Sequence, residues 1–330
     1  MENSILYPLP FAPIFKDKIW GGDKIKTVLY KDFSPLRNCG EMWVLSGHND
    51  DVSVVSDGPL AENDLNELIG IFFDDLMGSK RFSEDNPRFP LLVKIINTNS
   101  WLSIQVHPDD ALAAKLEIDS GKDEMWYVLD AAPKAKIIAG FKKELTLQEY
   151  KKHVSNNTLE EVLNYVNVRK GDAVFIPAGM VHALGPGLLV AEIQQSSDTT
   201  YRIYDWNRVD ENGNPRELHQ FMAERAINFS DNKPPVLVHP NTDIENKRIR
   251  LINSDNFNTN IIRVTRSLDF TLDTEDTFIA LLAFDGEGTV SSNGVTTVIR
   301  RGEAVLIPAS LDGYSIENTE GDLMLIEIYL

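Results

Sequence analysis

Gln105 and His107 are two polar side chains with the right types and spacing to take part in chemistry. In residues 102–110, apolar residues occupy positions 102, 104 and 106, and polar residues occupy positions 103, 105 and 107. This period of two predicts a strand with one packed face and one polar face. An inward amide and imidazole need partners, because an unpaired buried polar group is costly. A metal ion is a candidate partner, with further ligands supplied from elsewhere.

A second pattern ends on a histidine. Gly171, Pro177, Gly179 and His182 have the spacing G-x5-P-x-G-x2-H of the second cupin motif. Gly171 allows a tight turn between strands, and Pro177 and Gly179 shape the next turn. We therefore expect His182 to be directed into the lumen of a jelly roll.

The first cupin motif is present in altered form. Gln105 and His107 stand where that motif has H-x-H, and Glu124 would supply its glutamate, although its separation from His107 is longer than in a general cupin. With this longer spacing, the chain resembles the short bacterial form of the type I mannose-6-phosphate isomerase (phosphomannose isomerase) family. The resemblance rests on residues 19–22, 40–43, 102–110, 121–129, 175–183 and 192–205.

The resemblance implies a fold and an activity. The expected fold is mainly β, with two cupin jelly-roll barrels, the first of which carries helical insertions. The expected activity is metal-dependent interconversion of mannose 6-phosphate and fructose 6-phosphate through an enediol. A base would move a proton between C2 of the aldose and C1 of the ketose.

The resemblance also implies one Zn²⁺ per chain, held by Gln105, His107, Glu124 and His182. A ligand set of nitrogen and oxygen atoms without thiolate suits Zn²⁺, and also suits Mn²⁺, Fe²⁺ or Co²⁺. Only one of the four ligands is anionic, so the site would stay net positive and act as a Lewis acid.

The resemblance further implies a catalytic role for Arg202. Arg202 and Lys122 are expected to take part in substrate binding and catalysis, with Ser103 as a further substrate contact. A phosphosugar needs cations, because the chain carries a formal charge of −18 that repels anions at long range. The base itself is left open between Glu192, Lys122 and a metal-bound water.

Each of these residues has a simpler structural interpretation. Gln105 could hydrogen-bond a neighbouring group without binding metal, and Arg202 could pair with Asp198 or Asp205. Lys122 could be solvated, as lysines in Gly-Lys turns usually are. The four remaining histidines lack matching context and are expected at the surface: His48, His153, His219 and His239.

Two other functional classes remain as alternatives. An Fe²⁺-dependent cupin dioxygenase would use the same barrel, but it would more comfortably carry a third histidine in place of Gln105. A non-catalytic sugar-binding cupin would keep the fold without needing the metal.

Hydrophobic periodicity predicts the elements around these residues. Helical insertions are expected at about 62–77, 109–119 and 145–166, the first two capped by Asn63 or Asp64 and by Asp109 or Asp110. The last is interpreted as two helices with a break at 155–158. Short strands make up most of the rest.

Three prolines in residues 231–240 suggest a linker, which places the boundary between two domains near 235. Residues 1–235 would form the metal-binding cupin domain, and residues 236–330 a degenerate cupin barrel. An internal repeat supports two related barrels, because residues 168–178 align without gaps on residues 299–309. The second copy lacks the histidine that follows the first, so we expect it to have no metal site.

Composition narrows the partners and the compartment. The 50 acidic and 32 basic residues argue against nucleic acid or an anionic membrane as partners. The single cysteine, Cys39, fits a reducing compartment, and residues 1–20 lack the features of a signal peptide. We therefore expect a cytoplasmic protein, monomeric or weakly homo-oligomeric, whose partner is a small phosphosugar.

Overall fold

A computed structural model describes residues 5–48, 51–79, 88–118, 120–209, 212–230, 234–272 and 277–330. These residues form a mainly β protein, as the sequence predicts. The helices of the described residues are α1 (Lys24–Thr27), α2 (Leu65–Met77), α3 (Asp110–Leu116), α4 (Leu147–Ser155) and α5 (Gln220–Ala226), with a 3₁₀ turn at Leu159–Glu161.

The first group of strands lies in the first two thirds of the chain. They are β1 (Leu9–Pro10), β2 (Ile14–Lys16), β3 (Glu41–His48), β4 (Asp51–Val52), β5 (Leu91–Thr98), β6 (Ile104–Val106), β7 (Glu124–Ala131), β8 (Lys136–Phe141), β9 (Leu163–Asn167), β10 (Ala173–Ile176), β11 (His182–Leu184), β12 (Leu188–Gln195) and β13 (Tyr201–Tyr204).

The remaining strands of the described residues form the C-terminal third. They are β14 (Val236–Val238), β15 (Ile249–Asn253), β16 (Asn258–Val264), β17 (Leu268–Thr271), β18 (Ile279–Ser292), β19 (Val295–Arg300), β20 (Ala304–Ile307) and β21 (Gly313–Tyr329).

Three antiparallel sheets, taken over the described residues, pack as layers. The outer sheet has the order β13-β6-β11-β8-β9, and the central sheet has the order β14-β10-β7-β12-β5-β3-β2, with β4 beside β3. The C-terminal sheet has the order β1-β20-β18-β21-β16-β15, with β17 and β19 paired to its long strands.

Alternating side chains explain the layers. On one face of the central sheet, Trp126, Val128 and Val190 pack against Ile137 and Leu184 of the outer sheet. This arrangement is a sandwich of two sheets, which fits the expected jelly roll. The opposite face packs against the C-terminal sheet, because side chains of a strand alternate between its two faces.

Two predicted helices are confirmed with their caps. The Asp64 side chain accepts from the Glu67 backbone N–H at 2.8 Å, and the Glu67 carboxylate accepts in return from the Asp64 N–H at 3.1 Å. This capping box starts α2. Asp109 caps α3 by accepting from the Leu112 N–H at 2.7 Å. Residue 119, the predicted last residue of that insertion, lies outside the described residues.

The prediction of two helices over 145–166 is wrong for its second half. Thr146 caps α4 through its own capping box, but only a 3₁₀ turn follows, and Leu163–Asn167 form strand β9. This strand pairs with β8, with Ile137 opposite Val166. Strand pairing has overridden the local helical pattern, because Leu163 is fully buried in the core beside β8.

The predicted linker is partly a strand. Residues 231–233 lie outside the described residues, whereas Val236–Val238 form β14, which pairs with β10 of the central sheet. The chain thus remains part of the central sheet beyond residue 235. Conversely, β1, near the start of the sequence, joins the C-terminal sheet. The division into two domains at 235 stays a prediction.

The internal repeat corresponds to one repeated turn and strand. Gly171 and Gly302 both have positive φ, 90° and 77°. The following acids, Asp172 and Glu303, each accept from the N–H three residues earlier, at 2.9 and 3.0 Å. Each turn leads into the equivalent strands β10 and β20, so the two copies share backbone geometry as well as sequence.

Candidate metal centre and substrate cavity

Three buried side chains converge between the outer and central sheets. The ligand atoms of His107, Glu124 and His182 all lie within 4.8 Å of one another, and each side chain is 1% exposed. His107 Nε2 lies 3.2 Å from Glu124 Oε1, and His182 Nε2 lies 3.5 Å from Glu124 Oε2. Within the described residues of 236–330, no three such side chains meet in this way.

Neighbouring strands bring the three together. His182 begins β11 and lies directly opposite Gln105 of β6. Glu124 begins β7, in the facing central sheet. The ligand positions therefore come from the ends of strands on both walls of the jelly roll.

Backbone carbonyls orient both imidazoles. The Nδ1 of His107 lies 2.8 Å from the Thr199 carbonyl oxygen, and the Nδ1 of His182 lies 2.8 Å from that of Met180. A carbonyl only accepts, so Nδ1 carries the proton in each ring and Nε2 presents its lone pair inward. This arrangement is common for histidines that bind metals.

The inward atoms fit a bound cation. His107 Nε2 and both oxygens of Glu124 are buried and have no hydrogen-bond partner among the described residues. Unpaired buried polar atoms are rare because of their desolvation cost. A divalent metal would satisfy all three atoms, so the donor set and its geometry fit the group that the resemblance implies.

Gln105, the fourth predicted ligand, lies beside His182. Its side-chain amide lies 3.3 Å from His182 Nε2, and its other end accepts from the Ser103 hydroxyl at 3.3 Å. The two ends of an amide differ only in the assignment of N and O. Turned by 180°, the amide would present its oxygen to the same centre as His182 Nε2.

Electrostatics keep the imidazoles neutral and the carboxylate ionised. Burial, with the nearby Lys122 ammonium, lowers the pKa of His107 to about 3, and burial also lowers the pKa of His182. Burial alone would raise the pKa of Glu124, but His107 and Lys122 together hold it well below its usual value. Neutral imidazoles and an ionised carboxylate are the protonation states that bind a metal.

Two glycines permit the required close approaches. A Cβ on Gly121 would lie 2.5 Å from the Asp110 backbone nitrogen, so only glycine lets the segment before Glu124 pass the start of α3. Gly179 has φ of +85° and donates its N–H to the His107 carbonyl at 2.9 Å. The cupin-type glycine thus ties the loop before His182 to the strand that carries His107.

A cavity of about 310 Å³ lies over these residues. The predicted substrate contacts Ser103, Lys122 and Arg202 line it, together with the predicted metal ligands Gln105 and Glu124. Five cationic and four acidic side chains line the wall: Lys18, Lys94, Lys122, Arg202, Arg216, Glu41, Glu124, Glu192 and Asp198. The cations locally oppose the negative charge of the whole chain.

The simpler structural interpretations of two residues do not hold, namely a solvated Lys122 and an Arg202 paired with Asp198 or Asp205. Lys122 is 4% exposed, not solvated, and its Nζ lies 3.3 Å from Glu124 Oε1. Arg202 donates from Nη1 to the Glu217 carbonyl at 2.8 Å. The two proposed acidic partners of Arg202 are engaged elsewhere, Asp205 with two other arginines and Asp198 with His48.

A buried ion pair escaped the sequence interpretation. Lys94 Nζ lies 2.9 Å from Glu192 Oε2, and Trp126 Nε1 donates to Glu192 Oε1 at 2.9 Å. The carboxylates of Glu192 and Glu41 hold the pKa of Lys94 above its ordinary value despite burial. Each of the two residues is a charged side chain inside an apolar strand, Lys94 in β5 and Glu192 in β12. This pattern could have predicted the pair, because charged side chains are seldom buried unless they are paired.

The surface assignment of His48 is wrong. His48 ends β3 and is 4% exposed, with Nε2 3.3 Å from Asp198 Oδ2 at the cavity edge. The other three histidines, His153, His219 and His239, are partly exposed. All residues of β3 except the first are buried, and His48 is the last of them. The alternation of the segment did not predict this, because an alternating strand buries only every second residue.

Comparisons with known proteins agree with this geometry. The family model described as the catalytic domain of type I phosphomannose isomerase matches residues 9–155. The model described as the cupin domain of mannose-6-phosphate isomerase matches residues 247–330.

Full-length relatives cover nearly the whole chain. A probable mannose-6-phosphate isomerase of Bacillus subtilis is 33% identical over 318 residues, which are 95% of this chain and 97% of that protein. The mannose-6-phosphate isomerase of Streptococcus mutans is 32% identical over 97% of each chain. A crystal structure of the Bacillus subtilis mannose 6-phosphate isomerase superposes with a TM-score of 0.87 at 29% identity and covers 98% of this chain and 100% of that one. From the fold, the site and these matches together, the chain belongs to the type I phosphomannose isomerase family.

Proposed function

We propose that the protein is a metal-dependent aldose-ketose isomerase that interconverts mannose 6-phosphate and fructose 6-phosphate. The observation that carries the proposal is the set of inward atoms of His107 and Glu124 that lack hydrogen-bond partners among the described residues, beneath a cavity whose lining includes five cationic side chains. Membership of the family supports the same reaction.

The proposed metal is one Zn²⁺ per chain, held by Gln105, His107, Glu124 and His182. The two neutral imidazoles, one carboxylate and one amide favour zinc among the divalent ions without excluding Mn²⁺, Fe²⁺ or Co²⁺. When bound, the metal supplies a Lewis acid that stabilises negative charge developing on the sugar oxygens.

The chain's own residues would bind the substrate and move its proton. Arg202 is proposed to orient the substrate and its charge, and Ser103 to hydrogen-bond it from the cavity floor. The proton that moves between C2 and C1 needs a titratable group beside the sugar. Lys122 and Glu192 are the candidates: both line the cavity, and Glu192 is held in place by Lys94 and Trp126.

The remaining assignments are part of the same proposal. Residues 1–235 would act as the catalytic domain and residues 236–330 as a barrel without a metal. The protein would work in the cytoplasm as a monomer or weak homo-oligomer. In the part of the chain that the structure describes, no helix has the length and apolarity needed to cross a membrane.

A chelation experiment tests the reaction. Purified protein is assayed for fructose 6-phosphate formation from mannose 6-phosphate, then after removal of metal by chelator, and again after zinc is returned. We expect turnover that is lost on chelation and restored by zinc. Chelator-insensitive turnover would contradict metal dependence, and no turnover of the metal-loaded protein would leave a non-catalytic or oxygen-dependent cupin as the better assignment.

Two variants separate metal binding from substrate handling. His182→Ala is expected to lose metal and activity together, whereas Arg202→Ala keeps its metal and loses turnover. His153→Ala, a substitution in α4 outside the site, serves as the control. Metal content measured by elemental analysis accompanies each assay, and full activity in either site variant would refute its role.

A further inference from the structure

A compact group of arginines lies at one side of the cavity around Asp205. Asp205 is 5% exposed and accepts from Arg216 Nε at 2.7 Å and Nη2 at 2.6 Å. Arg208 Nη2 bonds the same carboxylate and extends Nη1 to the Trp101 carbonyl at 2.6 Å. One buried carboxylate is therefore shared by two guanidinium groups.

Only one of these two arginines reaches the cavity. Arg216 lines it together with Arg202, whereas Arg208 is directed to the backbone of the loop before β6. The bidentate pair with Asp205 uses Nε and Nη2 of Arg216 and leaves Nη1 outside that pair. Asp205 thus holds the guanidinium of this cavity-lining arginine in place without using its Nη1.

Arg202, which lines the same cavity as Arg216, has a buried hydrogen-bond donor. Its Nε is buried and has no hydrogen-bond partner among the described residues. Burial and the positive charges of Arg216 and Arg208 lower the pKa of Arg202. Neighbouring guanidinium groups repel each other, so an anion between them would relieve that repulsion and satisfy the buried donor.

We propose that Arg216, positioned by Asp205, is the second phosphate-binding arginine of the cavity and acts with Arg202. This inference rests on the proposed function, since it identifies the residues that recognise the phosphate of that substrate. Asp205 is a positioning residue, because it contacts Arg216 and not the cavity.

The charge of the group suits a phosphate monoester. Three guanidiniums and one carboxylate leave two net positive charges, and a phosphate monoester carries about −1.5 to −2 at pH 7. The nearby acids Asp198 and Glu217 are mostly exposed, at 63% and 83%, so water screens them more than it screens Asp205. The local field is therefore attractive despite the net charge of −18.

The geometry also provides a matched control. Arg208→Gln removes an ion pair with the same carboxylate as Arg216→Gln, but from an arginine that does not line the cavity. A difference between the two variants reports phosphate contact, whereas a shared effect reports disruption of the cluster.

The experiment measures kcat and KM for mannose 6-phosphate, and competitive inhibition by inorganic phosphate, on the metal-loaded protein. Arg216→Gln is expected to raise both KM and the phosphate inhibition constant at least about tenfold, as loss of a charge-assisted hydrogen bond implies, with kcat within about threefold. Arg208→Gln is expected to change either constant less than about threefold. Asp205→Asn should raise KM with kcat retained, and adding Arg216→Gln to it should give less than the sum of the two effects.

Two results would overturn the inference. One is an unchanged KM and phosphate inhibition constant in Arg216→Gln, and the other is an equal rise in Arg208→Gln. Calorimetric titration of inorganic phosphate into wild type and Arg216→Gln tests the cluster without turnover. If the wild type binds phosphate more tightly than the variant but does not turn over mannose 6-phosphate, the proposed function fails and the phosphate site stands; equal binding refutes the site.

Discussion

At the scale of single residues, the site depends on which atom of each side chain is already occupied. The carbonyls of Thr199 and Met180 accept hydrogen bonds from Nδ1 of His107 and His182, respectively. The other ring nitrogens converge on Glu124. The carboxylate then supplies the only negative charge of the proposed ligand set. Removing this negative charge should therefore weaken metal binding more than changing the size of the side chain would.

Glu124→Gln tests this point, because it keeps the shape of the side chain and removes its charge. We expect metal affinity to fall at least about a hundredfold, since even residues that only support metal ligands contribute ten- to hundredfold in affinity, and the metal content after extensive dialysis to fall below that of wild type. Elemental analysis gives the measurement. Glu117→Gln, at an exposed position after α3, should retain the metal; equal metal content in the two variants would refute the ligand role.

At the scale of elements, three strand ends and one tight segment set the geometry. Gly121 donates its N–H to Asp110 Oδ1 at 2.8 Å, and the Lys122 N–H donates to the Pro108 carbonyl at 3.1 Å. The segment that leads into β7 is thereby fastened to the start of α3. The positions of both Lys122 and Glu124 depend on this contact.

Gly121→Ala should break that contact, because its Cβ would lie 2.5 Å from one backbone atom and 2.7 Å from another. We expect a loss of about 1–3 kcal/mol in the free energy of unfolding and weaker metal retention. Urea denaturation and elemental analysis provide the two readouts.

Gly70→Ala is the matched control. Gly70 lies in α2, and outside its own chain neighbours and the backbone of the helix no described atom lies within 4 Å of the added Cβ, so the substitution should stabilise the protein by up to about 1 kcal/mol. A Gly121→Ala protein as stable and as metal-rich as Gly70→Ala would contradict the packing argument.

At the scale of the whole molecule, the central sheet is packed on both faces. Tyr127 of β7 lies in the core between the central and C-terminal sheets, with its ring 5.2 Å from that of Phe284. Burial, with a contribution from Asp172, raises the pKa of Tyr127 to about 12. Burial raises the pKa of several other tyrosines in the same direction, including Tyr7 and Tyr150.

These shifts predict alkaline instability. An unfolded tyrosine ionises near pH 10, whereas folded Tyr127 stays protonated to about pH 12, so its contribution is complete below pH 10 and is lost as the pH rises from 10 to 12. Each such tyrosine should lower the free energy of unfolding by up to about 1.4 kcal/mol per pH unit in that window. Urea midpoints at pH 9 and pH 11.5 measure the loss.

Tyr127→Phe should make this pH dependence shallower, because phenylalanine does not ionise. Tyr30→Phe, at a ring that is 76% exposed, is the control for the substitution itself. Equal slopes in wild type and Tyr127→Phe would show that burial of this ring does not govern the alkaline limit.

The sequence by itself determined the local features. The alternation around β6 predicted the common direction of Gln105 and His107, and the glycine spacing predicted the turns before β10 and β11. The capping acids predicted the starts of α2 and α3. These features depend on residues a few positions apart, whose geometry the backbone itself imposes.

Only the tertiary structure decided which distant segments meet. Lys94 and Glu192 pair across 98 residues of sequence, and Gln105 meets His182 across 77. Neither the assignment of Leu163–Asn167 to a strand nor the position of Arg216 at the cavity could be read from local patterns. Strand partners and buried ion pairs depend on the order of strands in the sheets, and that order is set by the burial of whole faces rather than by any short segment.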